Sequence, residues 1–428
     1  MTLAIQGGTP VRTTPFPAYV TIGDAEKAAV CDVLDSGCLS KYLGVWHSQF
    51  QGGIQVQAME QEWAAYFGSQ HAIAVNSCTS GLYCAVGATG IAPGEEIIVS
   101  PYTMSASAVA PLVYNALPVF ADIEPHYYCL DPEDVERKIT DKTRAIIVVD
   151  IFGLPYAADA INAIAKKHDL YVIEDTAQAP GALYKGKFAG TLGDIGVYSL
   201  NYHKHIHCGE GGVIVTDNAL LADKCRLIRN HAESVVADMG CIDLSNMLGF
   251  NYRMTEIEAS IARIQLQKLA QLNIQRLENV AYLEQKLDIP AIHLPKVRPH
   301  TQHVYYTHTC QFDEVQAGLS RNTYINAVRA ELPHHERREQ EGVKLSNGYV
   351  KPIYLQPLFQ QKMVYGRHGY PFSEHNIDYA PGLCPVAEQM HFKSVFCHEF
   401  ILPSMTPRDM DDVVNAFEKV WENRALLR

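Results

Sequence analysis

Ala145-Ile146-Ile147-Val148-Val149, then Asp159-Ala160-Ile161-Asn162-Ala163-Ile164-Ala165-Lys166-Lys167-His168, then Leu170-Tyr171-Val172-Ile173 follow one another along the chain. The outer two runs are short and rich in β-branched residues, as strands are. Between them, Ile161, Ile164 and Ala165 recur at helical spacing after Asp159, a plausible helix cap. Strand, helix, strand is a crossover unit, and a crossover makes its two strands parallel. Similar runs at Ala72–Val75, Ile97–Val99, Pro118–Ala121 and Val213–Thr216 extend the alternation from about residue 60 to 216. The pattern predicts an α/β fold with a mostly parallel sheet covered by helices on both faces.

Beyond that region the character changes. Thr255-Glu256-Ile257-Glu258 has capping-box spacing, and Ile257, Ile261, Ile264 and Leu272 continue an apolar stripe down a long helix. Residues from about 270 onward read as a less regular α+β pattern. It closes on Thr406-Pro407, a cap with proline at the first helical position, and on a stripe of Met410, Val413, Val414, Phe417, Val420 and Trp421. The expected organisation is an N-terminal arm (1–19), a large domain (20–268) and a smaller C-terminal α+β domain (269–428). His334 to Gly342 is dense in charge and predicts a solvated loop or helix end.

Composition excludes some classes. With 428 residues, 47% hydrophobic and 19% charged, the chain can bury a large core. A net charge of −12 without a block of Lys or Arg would repel nucleic acid. No basic start leads into an apolar run, and no stretch has the length of a membrane span, so a cytoplasmic protein with no membrane partner is expected. The eleven cysteines include no Cys-x-x-Cys pair, which argues against a disulfide framework and a zinc ribbon and for small buried side chains.

Three segments carry candidate chemistry. Val75-Asn76-Ser77-Cys78-Thr79-Ser80-Gly81-Leu82 leaves a strand and opens a helix, where backbone N–H groups and hydroxyls can bind phosphate. The same residue types also crowd such turns merely as caps. Tyr171-Val172-Ile173-Glu174-Asp175-Thr176-Ala177-Gln178 runs a strand into two carboxylates at the sheet edge where open α/β sheets bind ligands. Ser199 to Gly212 holds Lys204 before the last strand. Together they supply a phosphate cradle, a carboxylate and an amine, the parts that pyridoxal 5'-phosphate (PLP) chemistry requires. An imine would link Lys204 to the cofactor, and Asp175 would favour the protonated pyridine nitrogen.

At this point the chain resembles the DegT/StrS family of PLP-dependent sugar and aminocyclitol aminotransferases. The resemblance rests on Ser77 to Leu82, Pro101-Tyr102-Thr103, Pro118-Val119-Phe120-Ala121-Asp122, Glu174 to Gln178, Ser199 to Lys204, Gly209 to Gly212 and Asn251-Tyr252-Arg253-Met254-Thr255-Glu256. It implies the PLP-dependent transferase fold type I, shared with aspartate aminotransferase. It implies that Thr79, Ser80 and Ser199 hold phosphate, Asp175 pairs with the pyridine nitrogen, Gln178 approaches the ring hydroxyl and Lys204 carries the cofactor. It further implies that Asn251 reaches the phosphate of a neighbouring subunit, making a homodimer with shared active sites. Glutamate or glutamine would give the amine, and a nucleotide-linked keto sugar or a keto-cyclitol would receive it.

Two positions depart from the family. Met104 stands where an aromatic residue commonly stacks on the cofactor ring, leaving either Tyr102 or Met104 for that contact, and Cys78 replaces a common glycine. Gly7-Gly8-Thr9-Pro10-Val11-Arg12 is similar to openings of the aminocyclitol branch. Lys41, Arg229, His231, Arg253 and His308 are candidate partners for a nucleotide diphosphate only because they lie near family motifs.

Rival readings remain. His203, His205, His207 and Cys208 invite a metal site, but neighbouring ligands seldom close a tetrahedron, so no metal is expected and the histidines are assigned to the pocket or a subunit contact. A sugar dehydratase of the same family would replace the cofactor lysine by histidine, and here that position holds Lys204. A non-catalytic regulatory protein retaining the fold is the alternative of another class.

Overall fold

Apolar runs that are buried on both sides belong in the middle of a layered fold, and seven of them form the central sheet here. In the computed structural model, which describes residues 2–427, they are β1 (His71–Val75), β2 (Glu96–Val99), β3 (Leu117–Phe120), β4 (Thr143–Val149), β5 (Tyr171–Asp175), β6 (Ile195–Ser199) and β7 (Gly212–Thr216). Met1 and Arg428, the outer ends of the expected arm and small domain, lie outside the described residues. The spatial order is β1-β7-β6-β5-β4-β2-β3. All neighbours pair in parallel except β7, which runs against both β1 and β6. The loop from β6 to β7 contains no crossover helix, so the returning strand must be antiparallel. As a result the C-terminal ends of β1, β4, β5 and β6 meet the start of β7 at one edge.

Strand β6 was not among the expected strands. It has only five residues, includes Gly196, and follows the turn-rich Gly190-Thr191-Leu192-Gly193-Asp194, so no period is visible. Helix α1 (Cys78–Ala88) follows β1, and α2 (Ala158–His168) is the crossover between β4 and β5. The expected cap at Asp159 is corrected: Ala157 occupies that position and makes no side-chain cap. Asp159 sits in the first turn instead, where its charge meets the positive helix end.

Helix α3 (Glu256–Lys286) starts with the expected capping box and runs unbroken past residue 268. Glu258 Oε2 accepts from the Thr255 N–H at 2.9 Å, and Thr255 Oγ1 accepts from the Glu258 N–H at 3.4 Å. Its inward face is not the isoleucine stripe. Ala259, Ala262, Leu266, Leu269, Val280 and Leu283 are buried there with Gln265, Asn273 and Arg276, while Ile257, Ile261 and Ile264 are half-buried. Polar side chains that bond to backbone carbonyls hide a buried face from a hydrophobicity reading: Asn273 donates to Pro180 O at 2.9 Å.

A second, wholly antiparallel sheet contains β8 (Ile292–His293), β9 (His308–Phe312), β10 (Leu345–Asn347) and β11 (Val395–His398), in the order β8-β9-β11-β10. Helix α4 (Pro407–Glu422) lays Met410, Val413, Val414, Phe417 and Val420 into the core beneath it. The same core takes Leu3 and Phe16 from the N-terminal arm, and Arg12 clamps the arm to Asp409 at 2.6 Å.

The charged segment 334–342 is not simply solvated. His335 is fully buried between Phe16 and Phe400, and Arg338 bridges Glu341 and Glu399. Seven of the eleven cysteines are buried, and all are free. Among the described residues no helix is long and apolar enough to cross a membrane.

Candidate active site

The sheet edge described above floors a cavity of about 470 Å³. Ser77, Cys78 and Thr79 from the start of α1, Val149 from β4, Asp175 from β5 and Ser199 from β6 reach its wall, as does Lys204 from the β6–β7 loop. The topology therefore brings together the three segments that the sequence singled out. Gly212 makes this possible, because a Cβ at that position would lie 2.7 Å from Ser77 C and Cys78 N. Only a residue without a side chain lets β7 approach the helix start so closely.

At that helix start, Ser77 caps α1 and its Oγ accepts from the Ser80 N–H at 3.1 Å. The N–H groups of Cys78 and Thr79 belong to the first turn, which has no intrahelical acceptors, and they face a region where the helix dipole favours an anion. Ser80 does not reach the wall: its hydroxyl is engaged with Asn76 Oδ1 at 2.6 Å and Ser77 O at 2.9 Å. Ser199 Oγ accepts from the Asn201 N–H at 3.3 Å.

Asp175 is buried at the cavity floor. Its Oδ2 accepts from Ser107 Oγ at 2.6 Å and its Oδ1 from the Ala177 N–H at 3.2 Å. Burial pushes its carboxyl above the usual value, opposed by Ser107, Ala177 and the Lys204 charge. A buried carboxylate in this state is stabilised by a cationic N–H arriving from the cavity side, such as a protonated pyridine. Cys78 Sγ lies 4.0 Å from Asp175 Oδ1, and burial pushes its thiol far up, so Cys78 packs rather than reacts. The Lys204 amine sits 4.5 Å from the Tyr306 ring centre and makes no hydrogen bond or ion pair among the described residues.

Two tyrosines on the wall were missed in the sequence. Tyr306 is held by its N–H donating to Phe152 O at 2.6 Å, while Val304 N–H donates to Gly153 O at 3.0 Å. Gly153 has φ +101°, and a Cβ there would strike the Tyr305 and Tyr306 nitrogens. Phe152 itself is left-handed at φ +60°, a strain of about 1–3 kcal/mol that persists at functional sites. Its N–H donates to Gln178 Oε1 at 2.7 Å, and Gln178 Nε2 donates to Tyr349 Oη at 2.8 Å. Tyr102 lies behind the wall, fully buried, accepting the Tyr349 N–H at 3.0 Å. Met104, more than half exposed, is the member of that pair on the cavity side. Both tyrosines sit in irregular segments with no motif, so nothing in the pattern marks them.

Other sequence candidates fall elsewhere. Asn251 is exposed and accepts from Arg253 Nε at 2.7 Å, away from this chain's own cavity wall. Arg229 is fully buried against Glu60 at 2.7 Å, and His308 is buried between His398 and Glu284, so neither is open to a nucleotide. Of the three histidines only His203 lines the cavity; His205 is buried with Nε2 3.1 Å from Val304 O, and His207 Nδ1 accepts from the Gly209 N–H at 3.4 Å. Among the described residues no three His, Cys, Asp or Glu side chains are grouped to hold a metal ion.

A lysine amine and a buried carboxylate beside a helix N-terminus, at the edge of this sheet, are the groups that PLP chemistry in the aspartate aminotransferase fold calls for. Residues 39–418 match the model of the DegT/DnrJ/EryC1/StrS aminotransferase family, and the chain belongs to that family. It is 31% identical to the spore coat polysaccharide biosynthesis protein SpsC of Bacillus subtilis, over 93% of this chain and 95% of that one. It is also 31% identical to the L-glutamine:2-deoxy-scyllo-inosose aminotransferase of Streptomyces paromomycinus, over 99% of each. The solved aminotransferase of Psychrobacter cryohalolentis superposes with a TM-score of 0.78 at 28% identity, covering 96% of this chain and 99% of that one. The protein is an aminotransferase, and its cofactor is PLP.

Proposed function

We propose that this enzyme moves an amino group from glutamine or glutamate to a polyhydroxylated ketone, and that the acceptor is an uncharged keto-cyclitol rather than a nucleotide-linked keto sugar. The observation that carries the choice is the charge of the cavity wall. Lys204 is its only Lys or Arg among the described residues, and Glu210 adds a negative charge beside Asn201, to which it is bonded at 2.9 Å. Within this chain's own wall a diphosphate would meet no cation other than the amine that holds the cofactor. Phenols, an amide and an imidazole suit hydroxyl groups. The relative that acts on 2-deoxy-scyllo-inosose supports the same reading.

PLP supplies the electron sink for the reaction. The residues around it have separable tasks. Asp175 keeps the pyridine nitrogen protonated, the start of α1 with Thr79 and Ser199 holds the phosphate, and Gln178 orients the ring hydroxyl. The Lys204 amine carries the cofactor and then moves a proton at the substrate carbon, a role worth about 10²–10⁴ in rate. Tyr306 and Tyr349 close the other side against water.

The enzyme acts as a homodimer in which Asn251 serves the partner's phosphate site. Support comes from an apolar surface around it: Leu39, Val45, Trp46, Ile242, Leu244 and Leu248 are all exposed. The segment that carries Leu39, Val45 and Trp46 is tied to residues 230–234, Leu43 O accepting from Asn230 and Gly44 O from Ser234, and Asn230 pairs with Asn251 in a β-bridge. Patches of this kind mark protein interfaces. A cytoplasmic location fits eleven free cysteines.

The test is absorbance of the purified protein with PLP, before and after adding glutamine or glutamate, and again after scyllo-inosose. Conversion to the amine form by a donor, reversed by the cyclitol, supports the whole reading. Donor conversion that only a nucleotide-linked keto sugar reverses moves the acceptor to that class. Absence of conversion by either amino acid places the donor outside glutamine and glutamate.

A further inference from the structure

His203 has no task in the scheme above, yet it lines the cavity beside Lys204. Its Nε2 is buried, makes no hydrogen bond, and points at Glu341 Oε2 from 3.5 Å. Its ring is packed against Tyr202 at 3.6 Å between centroids, and its backbone N–H donates to Asn201 Oδ1 at 3.2 Å. Nδ1 is neither buried without a partner nor bonded to the chain, so it is the accessible ring nitrogen.

Glu341 is itself rigidly held. Arg338 donates to both its oxygens, Nε to Oε1 at 3.0 Å and Nη2 to Oε2 at 2.7 Å, and Lys344 pairs with Oε2. Arg338 is in turn fixed to Glu399 at 2.6 Å. A fixed carboxylate behind one imidazole nitrogen selects the tautomer with the proton on that nitrogen and leaves the other as an acceptor. Hydrogen bonds of this kind are commonly long before substrate binds and tighten afterwards.

We propose that His203, oriented by Glu341, is a specificity-determining residue that accepts a hydrogen bond from a hydroxyl group of the acceptor. His203 touches substrate, and Glu341 is a positioning residue acting through it. The inference rests on the polyhydroxylated acceptor argued above. It assigns a function to the charged segment 334–342, which brings Glu341 from the C-terminal part of the chain to His203.

The probes are scyllo-inositol, which binds without reacting, and scyllo-inosose. Calorimetric titration with scyllo-inositol is expected to give a Kd raised about tenfold in His203→Gln, the cost of about one hydrogen bond. The PLP half-reactions give a second readout: the rate with scyllo-inosose falls at least tenfold more than the rate with glutamine. Glu341→Ala has the same effect in native background and none when added to His203→Gln, which a merely structural role would not produce. Equal scyllo-inositol affinity in native protein and His203→Gln overturns the inference, as does an undiminished Glu341→Ala effect in the double variant. Native amine-form enzyme that scyllo-inosose does not reoxidise overturns the cyclitol reading instead, and the inference with it.

Discussion

At the scale of single residues, Lys204 and Asp175 differ in what their loss removes. Lys204→Ala deletes both the proposed covalent anchor and the proposed proton carrier, so turnover is expected to fall below detection and borohydride no longer to label that position by peptide mapping. Asp175→Asn keeps the shape of the floor and its Ser107 neighbour, but loses the charge proposed to hold the pyridine proton. PLP still binds, and kcat falls by about two orders of magnitude or more, a loss of about 3 kcal/mol of transition-state stabilisation. His335 offers a test that is independent of activity. Both its ring nitrogens are buried without a partner between Phe16 and Phe400, and burial holds it down to about 4. The unfolded chain takes up this proton near the ordinary value while the folded one refuses it, so stability falls as pH drops from about 6.5 towards 4. That is about 2 kcal/mol lost by pH 5 from this group alone. His335→Phe removes the orphaned polar atoms and the titration together. Urea denaturation at pH 7 and pH 5 is expected to show a more stable variant at both, with the larger gain at pH 5; a variant less stable at pH 5 refutes the argument.

Elements carry the site by where they end. Gly212→Ala puts a methyl group 2.7 Å from the backbone of Ser77 and Cys78, and neither strand β7 nor the start of α1 can yield without moving the phosphate cradle. The fold survives, because the rest of β7 keeps its pairing with β1 and β6, and PLP affinity falls at least tenfold in an absorbance titration. The glycine-rich stretch that makes this contact was visible in the sequence, and so were Lys204, Asp175 and Thr79, because local motifs place reactive groups at strand ends. Tyr306 and Tyr349 were not, since they reach the cavity only through the left-handed turn at Phe152 and the hydrogen bonds of Gln178. Most strands, the capping box of α3 and the Thr-Pro start of α4 were legible as period and cap chemistry. Strand β6 was not, because a glycine in five residues erases the period, and the inner face of α3 was misread because Gln265, Asn273 and Arg276 are buried by bonding rather than by hydrophobicity.

For the whole molecule the decisive question is whether one chain suffices. Its own cavity wall lacks Asn251, which stands exposed three residues after the exposed Leu248. Exposed Leu, Ile and Trp side chains cost solubility unless something covers them. The twofold partner proposed above would do so, since a patch that faces its own copy is buried twice by one contact. Leu248→Glu introduces two like charges at such a contact and two unpaired buried carboxylates. Sedimentation is expected to give native protein twice the chain mass and Leu248→Glu the mass of one chain. If the proposed shared site holds, PLP affinity then falls with dimer dissociation, because the second chain's Asn251 is withdrawn. Asn251→Ala separates the two effects: it stays dimeric and still binds PLP more weakly. A native monomer with full PLP affinity would refute the shared site, and a dimeric Asn251→Ala protein with unchanged affinity would leave the interface but take away its catalytic purpose.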